Sequence, residues 1–365
     1  VRDPRTSFSQ ETIHLEAILP NRDFIEACYG RSVQRRPIWI MRQAGRYQAS
    51  YRAVRERFSF EQVCTTPEIA CQVTLQPIKE FDLDAAIVFS DILVVFPPMG
   101  LPVHFGDGGP KIARPVRSAS DAAGLRSLDP EAGLGFVMEA IRMIRRDLPQ
   151  SIPLIGFSGA PFTLACYAIE GTTSREFTVA REFFFREPEA ARGLMSHLAD
   201  SVADYLNAQI DAGADAVQIF DSWGGLLSPE DYRNWVLPHM RTIVERVRRP
   251  GIPIICYLNG TSHLIDILND TKSDVISVDW RTDMTQAATT CVNQTALQGN
   301  LDPVALFSSS DEIRRRAQSI MRQMDATAKG HVFNLGHGIL PTTPEKNVHA
   351  LVHIVHSTLP KNQHV

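Results

Sequence analysis

Eight short runs of apolar and β-branched residues recur along this chain, at 37–41, 85–89, 153–157, 216–220, 252–257, 275–278, 295–298 and 331–335. Each is bounded by turn residues, and most are separated by stretches with amphipathic helical periodicity, such as 139–146, 192–212, 231–248 and 311–324. A strand that is apolar on both faces must be covered on both faces, and an intervening helix returns the chain so that successive strands run parallel. Eight such units predict an α/β fold, a (β/α)8 TIM barrel, as one domain over 37–358 with an N-terminal helical extension over 1–36. The Gly- and Pro-rich segment 97–115 is too long for a tight connection and predicts an excursion such as a hairpin.

Barrels of this kind build their functional sites from the loops after the strands, so the residues following each run carry the argument. They are Arg42 and Arg46, then Ser90 and Asp91, Ser158 to Pro161, Asp221 and Ser222, Asn259 and Gly260, Asp279 and Trp280, Gly299 and Asn300 with Asp302, and Gly336-His337-Gly338. Arg42 and Arg46 belong to a local basic excess. Arg31, Arg35, Arg36, Arg42, Arg46, Arg52, Arg55 and Arg57 are opposed within their segment by Glu56, in a chain of net charge −4. A nucleic-acid or membrane-surface partner would want a basic face over the whole domain, so a small anionic molecule fits better. A guanidinium presents a planar fork that grips carboxylate or phosphate through paired hydrogen bonds. Arg52, Arg55 and Arg57 read as a solvated helix face, whereas Arg42 and Arg46 leave a strand end with Gly45 between them.

Asp91 places one carboxylate in the otherwise apolar Phe89-Ser90-Asp91-Ile92-Leu93-Val94-Val95. An unpaired buried carboxylate costs several kcal/mol, so it implies partners, whether a structural cap, an arginine or a ligand. His337, between two glycines after the last run, reads as a ligand contact because the glycines allow close approach. His104, His263, His349, His353 and His356 read as surface or packing residues. Tyr167 falls within a helix that Pro161 would start, and its phenol suits either a ligand over the cleft or the core. Ser222 is equally ambiguous, and no GxSxG surrounds it. No GxGxxG or P-loop is present, and no dense metal-ligand cluster occurs at the strand ends, the single HxxxH pair His349/His353 falling in the last helix. The expectation is a protein without a metal or organic cofactor. The six cysteines show no CxxC pair and read as reduced core thiols. The apolar stretch 85–103 is interrupted by Asp91 and Pro97-Pro98 and reads as buried strand and loop, with no membrane span. No secretory signal is visible, and the chain starts at Val1; the expectation is a cytoplasmic protein, or a plastid one if a transit peptide has been removed.

Met41-Arg42-Gln43-Ala44-Gly45-Arg46-Tyr47, Phe89-Ser90-Asp91-Ile92-Leu93, Gly159-Ala160-Pro161-Phe162-Thr163, Leu297-Gln298-Gly299-Asn300-Leu301-Asp302-Pro303 and Asn334-Leu335-Gly336-His337-Gly338 together resemble the uroporphyrinogen decarboxylase family, over roughly 37–350. The resemblance implies a (β/α)8 barrel, a homodimer with facing clefts, and conversion of the four acetate side chains of uroporphyrinogen to methyls, giving coproporphyrinogen and carbon dioxide without a cofactor. It implies that Asp91 binds the pyrrole N–H groups and that Arg42, Arg46, Tyr167, Ser222 and His337 contact substrate carboxylates or the reacting ring. Gln43, Phe89 and Phe220 would line the pocket. The chain departs from the family in the threonines of Glu170-Gly171-Thr172-Thr173-Ser174 and at Cys256-Tyr257-Leu258-Asn259-Gly260. The implied chemistry needs a proton on a pyrrole carbon, which turns the ring into the electron sink; Asp91 would stabilise that cation, and Arg42 is a candidate proton donor. The rival readings are a methyltransferase of the related cobalamin or thiol group and a non-catalytic tetrapyrrole binder.

Overall fold

The computed structural model describes residues 22–106, 108–291 and 295–360. Of the expected extension over 1–36, helix Asp23–Cys28 is described and 1–21 lie outside the described residues. The strands are β1 (Ala86–Ile87), β2 (Val103–Gly106), β3 (Gly109–Ile112), β4 (Leu154–Gly159), β5 (Ala216–Asp221), β6 (Ile254–Leu258), β7 (Val275–Val278), β8 (Ala296–Leu301) and β9 (His331–Leu335). Seven of them form one curled sheet in the order β1-β4-β5-β6-β7-β8-β9, parallel throughout. The excursion after β1 contains the expected hairpin: β2 and β3 pair antiparallel, and Ile112 N–H reaches Gly171 O at 2.8 Å.

The first apolar run, expected as a strand over 37–41, makes only one isolated bridge, between Ile38 and Phe333 of β9. Pro37 has no N–H, Trp39 N–H reaches Phe333 O only at 3.4 Å, and the donors of the last two residues go to side-chain amides: Ile40 N–H to Gln43 Oε1 at 3.3 Å and Met41 N–H to Asn334 Oδ1 at 3.0 Å. The segment still touches both edges of the sheet. Phe333 N–H donates to Pro37 O at 2.8 Å, and Asp84 N–H, just before β1, donates to Ile38 O at 2.9 Å. Asp84 returns the contact through its carboxylate, which accepts Ile38 N–H at 2.8 Å and pairs with Arg35 and His356. β1 is short for a similar reason, since Phe89 N–H is taken by the Thr74 hydroxyl at 2.9 Å.

Helices cover the outer face, among them Pro67–Phe81, Pro130–Asp147, Pro188–Ala212, Ser310–Asp325 and Glu345–Ser357. Proline at the first helical position and side-chain caps such as Asp129 to Ala132 N–H and Ser309 to Glu312 N–H start them. The stretch 231–248, expected as one helix, is divided into a π-helical turn Tyr232–Val236 and helix Leu237–Val247, because Pro238 cannot donate into the preceding turn.

Inside the sheet's curl, Trp39 Nε1–H donates to Gln298 Oε1 at 2.8 Å, and Gln298 Nε2 donates to Gln218 Oε1 at 3.0 Å and Ser277 Oγ at 2.9 Å. These buried polar groups are tied to one another across strands, which fixes register below the loops. An apolar cluster of Phe24 and Ile25 with Ile155, Ile255, Val275 and Val332 packs helix Asp23–Cys28 against the interior. The six cysteines are buried free thiols.

Candidate active site

Arg42 occupies the left-handed region at φ 63°, uncommon for a residue with a Cβ. Its turn is held from three directions. Gln43, almost fully buried, donates from Nε2 to Ala85 O at 3.2 Å; Tyr47 OH donates to Gln43 O at 2.7 Å; and Ile339 N–H donates to Met41 O at 3.0 Å. Gln43 therefore positions the arginine turn, with its amide spent on backbone. The stem of Arg42 crosses Gly338, where a Cβ would fall 2.5 Å from Arg42 Cδ.

Asp91 is half-buried and accepts Leu93 N–H at 2.8 Å, capping the short helix Ile92–Val95. Burial raises its carboxyl above the ordinary range, while the Leu93 N–H and the nearby Arg42 cation pull it back down. Tyr167, on helix Pro161–Glu170, sits edge-on to Phe177 at 5.5 Å and Trp223 at 6.5 Å. Burial raises its phenol; the charge of Asp91 pushes the same way and that of Arg42 opposes it. His337 meets Trp280 edge-on at 6.1 Å. Burial, with Arg42 beside it, lowers the imidazole to about 4, so it is neutral near pH 7. Arg42, Asp91, Tyr167 and His337 thus share one electrostatic neighbourhood at the carboxyl ends of the strands.

The other expected residues surround it less evenly. Phe220 packs edge-on against Phe157 at 5.5 Å and Tyr257 at 5.8 Å, and Tyr257 OH donates to Gly336 O at 3.1 Å. Phe89 packs against Tyr51 and Phe60. Ser222 is half-buried, with its carbonyl held by Asn259 Nδ2 at 3.3 Å. Arg46 is exposed on the flank, where its charge acts on Tyr51. The structure brings Arg42, Asp91, Tyr167 and His337 together and leaves Arg46 at the rim.

Trp223 and Arg281 escape sequence reasoning, and Asp221 stood there only as a strand-end residue without a role. Trp223 bridges Tyr167 and Phe177. Asp221, fully buried, accepts from Thr163 Oγ1 at 2.8 Å, Gly224 N–H at 3.1 Å and Tyr232 OH at 3.2 Å, and burial pushes its carboxyl up to about 6 despite these donors. It fixes the turn that carries Ser222 and Trp223. Arg281 follows Asp279-Trp280 at the end of β7; its position two residues past a named strand-end aspartate was the available signal. Among the described residues no group of three or more His, Cys, Asp or Glu side chains is close enough to hold a metal ion, and no helix is long and apolar enough to cross a membrane.

A curled parallel sheet whose following loops bring together an arginine, a half-buried carboxylate, a tyrosine and a neutral histidine defines an enzyme of the α/β class. The model of the family described as Uroporphyrinogen decarboxylase (URO-D) matches residues 19–358, and the chain belongs to that family. It is 48% identical over 346 residues to a uroporphyrinogen decarboxylase of Nitrosococcus oceani, covering 93% of this chain and 97% of that one. It is 46% identical over 334 residues to the enzyme of the same name from Syntrophotalea carbinolica, covering 92% and 97%. Among solved structures, a methyltransferase from Methanosarcina mazei superposes with TM-score 0.77 at 19% identity, covering 92% of this chain and 98% of that one. That likeness is one of fold alone.

Proposed function

We propose that this protein decarboxylates the four acetate side chains of uroporphyrinogen III to methyls, giving coproporphyrinogen III and carbon dioxide in haem and tetrapyrrole biosynthesis. The observation that carries the reading is the convergence of Asp91 with Arg42, Tyr167 and His337 in a chain that matches uroporphyrinogen decarboxylases at 46% and 48% identity over nearly its whole length. Asp91 accepts the pyrrole N–H groups. Arg42 faces the acetate that reacts, Arg46 a peripheral carboxylate, and Tyr167, Ser222 and His337 complete the polar contacts, with Phe89 and Phe220 as apolar walls and Gln43 holding the Arg42 turn.

The chemistry follows from the ring. Protonation at a pyrrole carbon creates a cation conjugated with the C–CO2 bond; the bond's electrons flow into the ring as carbon dioxide leaves, a proton then adds to the exocyclic carbon to complete the methyl, and the ring carbon gives back the first proton to restore the pyrrole, so that one proton is consumed net per acetate. The ring serves as its own electron sink, so the reaction requires no metal or organic cofactor. A carboxylate aimed at converging N–H groups stabilises the cation, each charge-assisted hydrogen bond contributing on the order of 1.5–3 kcal/mol. A neutral His337 donates or accepts a hydrogen bond without adding positive charge against that cation.

Around this site we read a closed (β/α)8 barrel in one domain over 37–358, with 37–39 as the eighth stave, an extension over 1–36, and a homodimer. The hydrogen bonds of Pro37 and Ile38 to both edges of the sheet support the closure. A cytoplasmic enzyme acting on a small molecule, without nucleic-acid or membrane partners, fits the bacterial relatives, which give no support to a plastid form. Protein dialysed against a strong chelator, incubated anaerobically with uroporphyrinogen III, is expected to yield coproporphyrinogen III; activity that returns only with zinc would contradict the reading.

A further inference from the structure

We propose that Arg281 is a third carboxylate-gripping arginine of the cleft, holding a carboxylate of the substrate other than the one being lost. The proposal rests on the uroporphyrinogen reading above and adds a residue to it.

The mount comes first. Asp279, at the end of β7, is fully buried and spreads its charge over three neighbours: Gly260 N–H at 3.1 Å, Thr282 Oγ1 at 3.0 Å and Arg281 Nε at 2.6 Å. Arg281 Nη2 donates to Asn259 Oδ1 at 2.6 Å, and the guanidinium lies 4.5 Å from the centroid of the Trp280 ring. Two hydrogen bonds and an aromatic face therefore fix a side chain that is nonetheless 51% exposed. A guanidinium has five N–H donors. Asp279 and Asn259 engage one each, and Nη1 has no hydrogen-bond partner among the described residues. The Nη1/Nη2 edge thus keeps a fork for a second, bidentate acceptor.

The placement then decides what that acceptor is. Trp280 is shared: Arg281 stacks on it and His337 meets it edge-on at 6.1 Å. Gly336 packs so closely on Trp280 that a Cβ there would fall 2.2 Å from Trp280 N. Arg281 therefore flanks His337 from the β7 side while Arg42 flanks it from the Gly338 side, and both cations act on His337 and on Tyr257. A purely structural arginine would spend its whole fork on Asp279. This one is pre-ordered, half in water, and opposite the arginine assigned to the reacting acetate. A substrate with four acetates presents further carboxylates until the last of them reacts, and an ordered fork loses little side-chain entropy on gripping one.

Contacts made equally to bound substrate and transition state act on KM. For Arg281→Gln we expect KM for uroporphyrinogen to rise roughly tenfold with a smaller change in kcat, as loss of one charge-assisted pair implies. Arg281→Lys keeps the cation beside Asp279 but loses the fork, and its KM should rise about threefold with a melting temperature close to that of the unsubstituted protein. An unchanged KM in either folded variant, or a fall in kcat at constant KM, overturns the assignment. An unsubstituted protein that forms no coproporphyrinogen overturns the functional reading and this inference together, whereas an active one with unchanged KM in the variants overturns Arg281 alone.

Discussion

Gly338 lies directly beneath Arg42: a methyl group on residue 338 would sit 2.5 Å from Arg42 Cδ and 3.0 Å from both its Cγ and Nε. The glycine next to the candidate histidine thus shapes the path of an arginine from the other end of the chain. The obstructed atoms belong to a flexible side chain, so relief comes by moving Arg42 and not by unfolding. Gly338→Ala is expected to lower turnover at least tenfold while shifting the melting temperature only slightly. A variant with unchanged turnover would show that the path of Arg42 does not matter to the reaction.

Arg42 and Arg46 carry the same charge, but Arg42 acts on Asp91, Tyr167 and His337 whereas Arg46 acts on Tyr51 at the flank. Arg42→Lys keeps the charge and loses the fork, so kcat should fall by more than KM rises, and Arg46→Lys should act chiefly on KM. Steady-state kinetics of the two variants decide it, and the reverse pattern would remove Arg42 from the reacting group.

His337 is lowered from 6.5 to about 4. A depressed basic group favours the neutral form in the folded protein, so its contribution to stability is present above about pH 6.5 and is lost as the pH falls through about 4. Its imidazole resonance in the free enzyme should titrate near 4 and stay flat from pH 6 to 8. A midpoint near 6.5 would mean that the histidine is solvated and not held between Trp280 and Arg42.

Asp221 moves the other way, from 3.8 to about 6. Its folded form holds a proton more tightly than the unfolded chain does, so its contribution is fully present below 3.8 and is lost as the pH rises through about 6. The full swing is on the order of 3 kcal/mol. Asp221→Asn cannot titrate. The stability of the unsubstituted protein relative to Asp221→Asn should therefore be greater at pH 5 than at pH 7.5, measured by denaturant unfolding at both values. A pH-independent difference would place the ionised carboxylate in both states.

Much of this arrangement was legible in the sequence, because strands buried on both faces leave continuous apolar runs and a barrel-like sheet puts polar residues after them. Asp91, Arg42 and His337 stood out as polar groups at the ends of such runs. The first run misled because most of its donors, those of Ile38, Ile40 and Met41, are taken by side chains, one of them Asn334, 293 positions away, which no local pattern reveals. The hold of the Gln43 amide on Ile40 N–H and Ala85 O likewise depends on the folded chain and left no mark in the sequence. Arg281 drew no reading from the sequence, since its significance depends on the buried Asp279 below and on Trp280 shared with His337.

The central claim is that a single carboxylate stabilises the cation formed on the substrate ring, and Asp91→Asn tests it most directly. The amide preserves size and the contact to Leu93 N–H but removes the negative charge. Single-turnover conversion of uroporphyrinogen III by folded Asp91→Asn, followed as coproporphyrinogen III formed, should be slower than that of the unsubstituted enzyme by roughly a hundredfold or more. A folded Asp91→Asn enzyme that turns over at the unsubstituted rate would contradict the account.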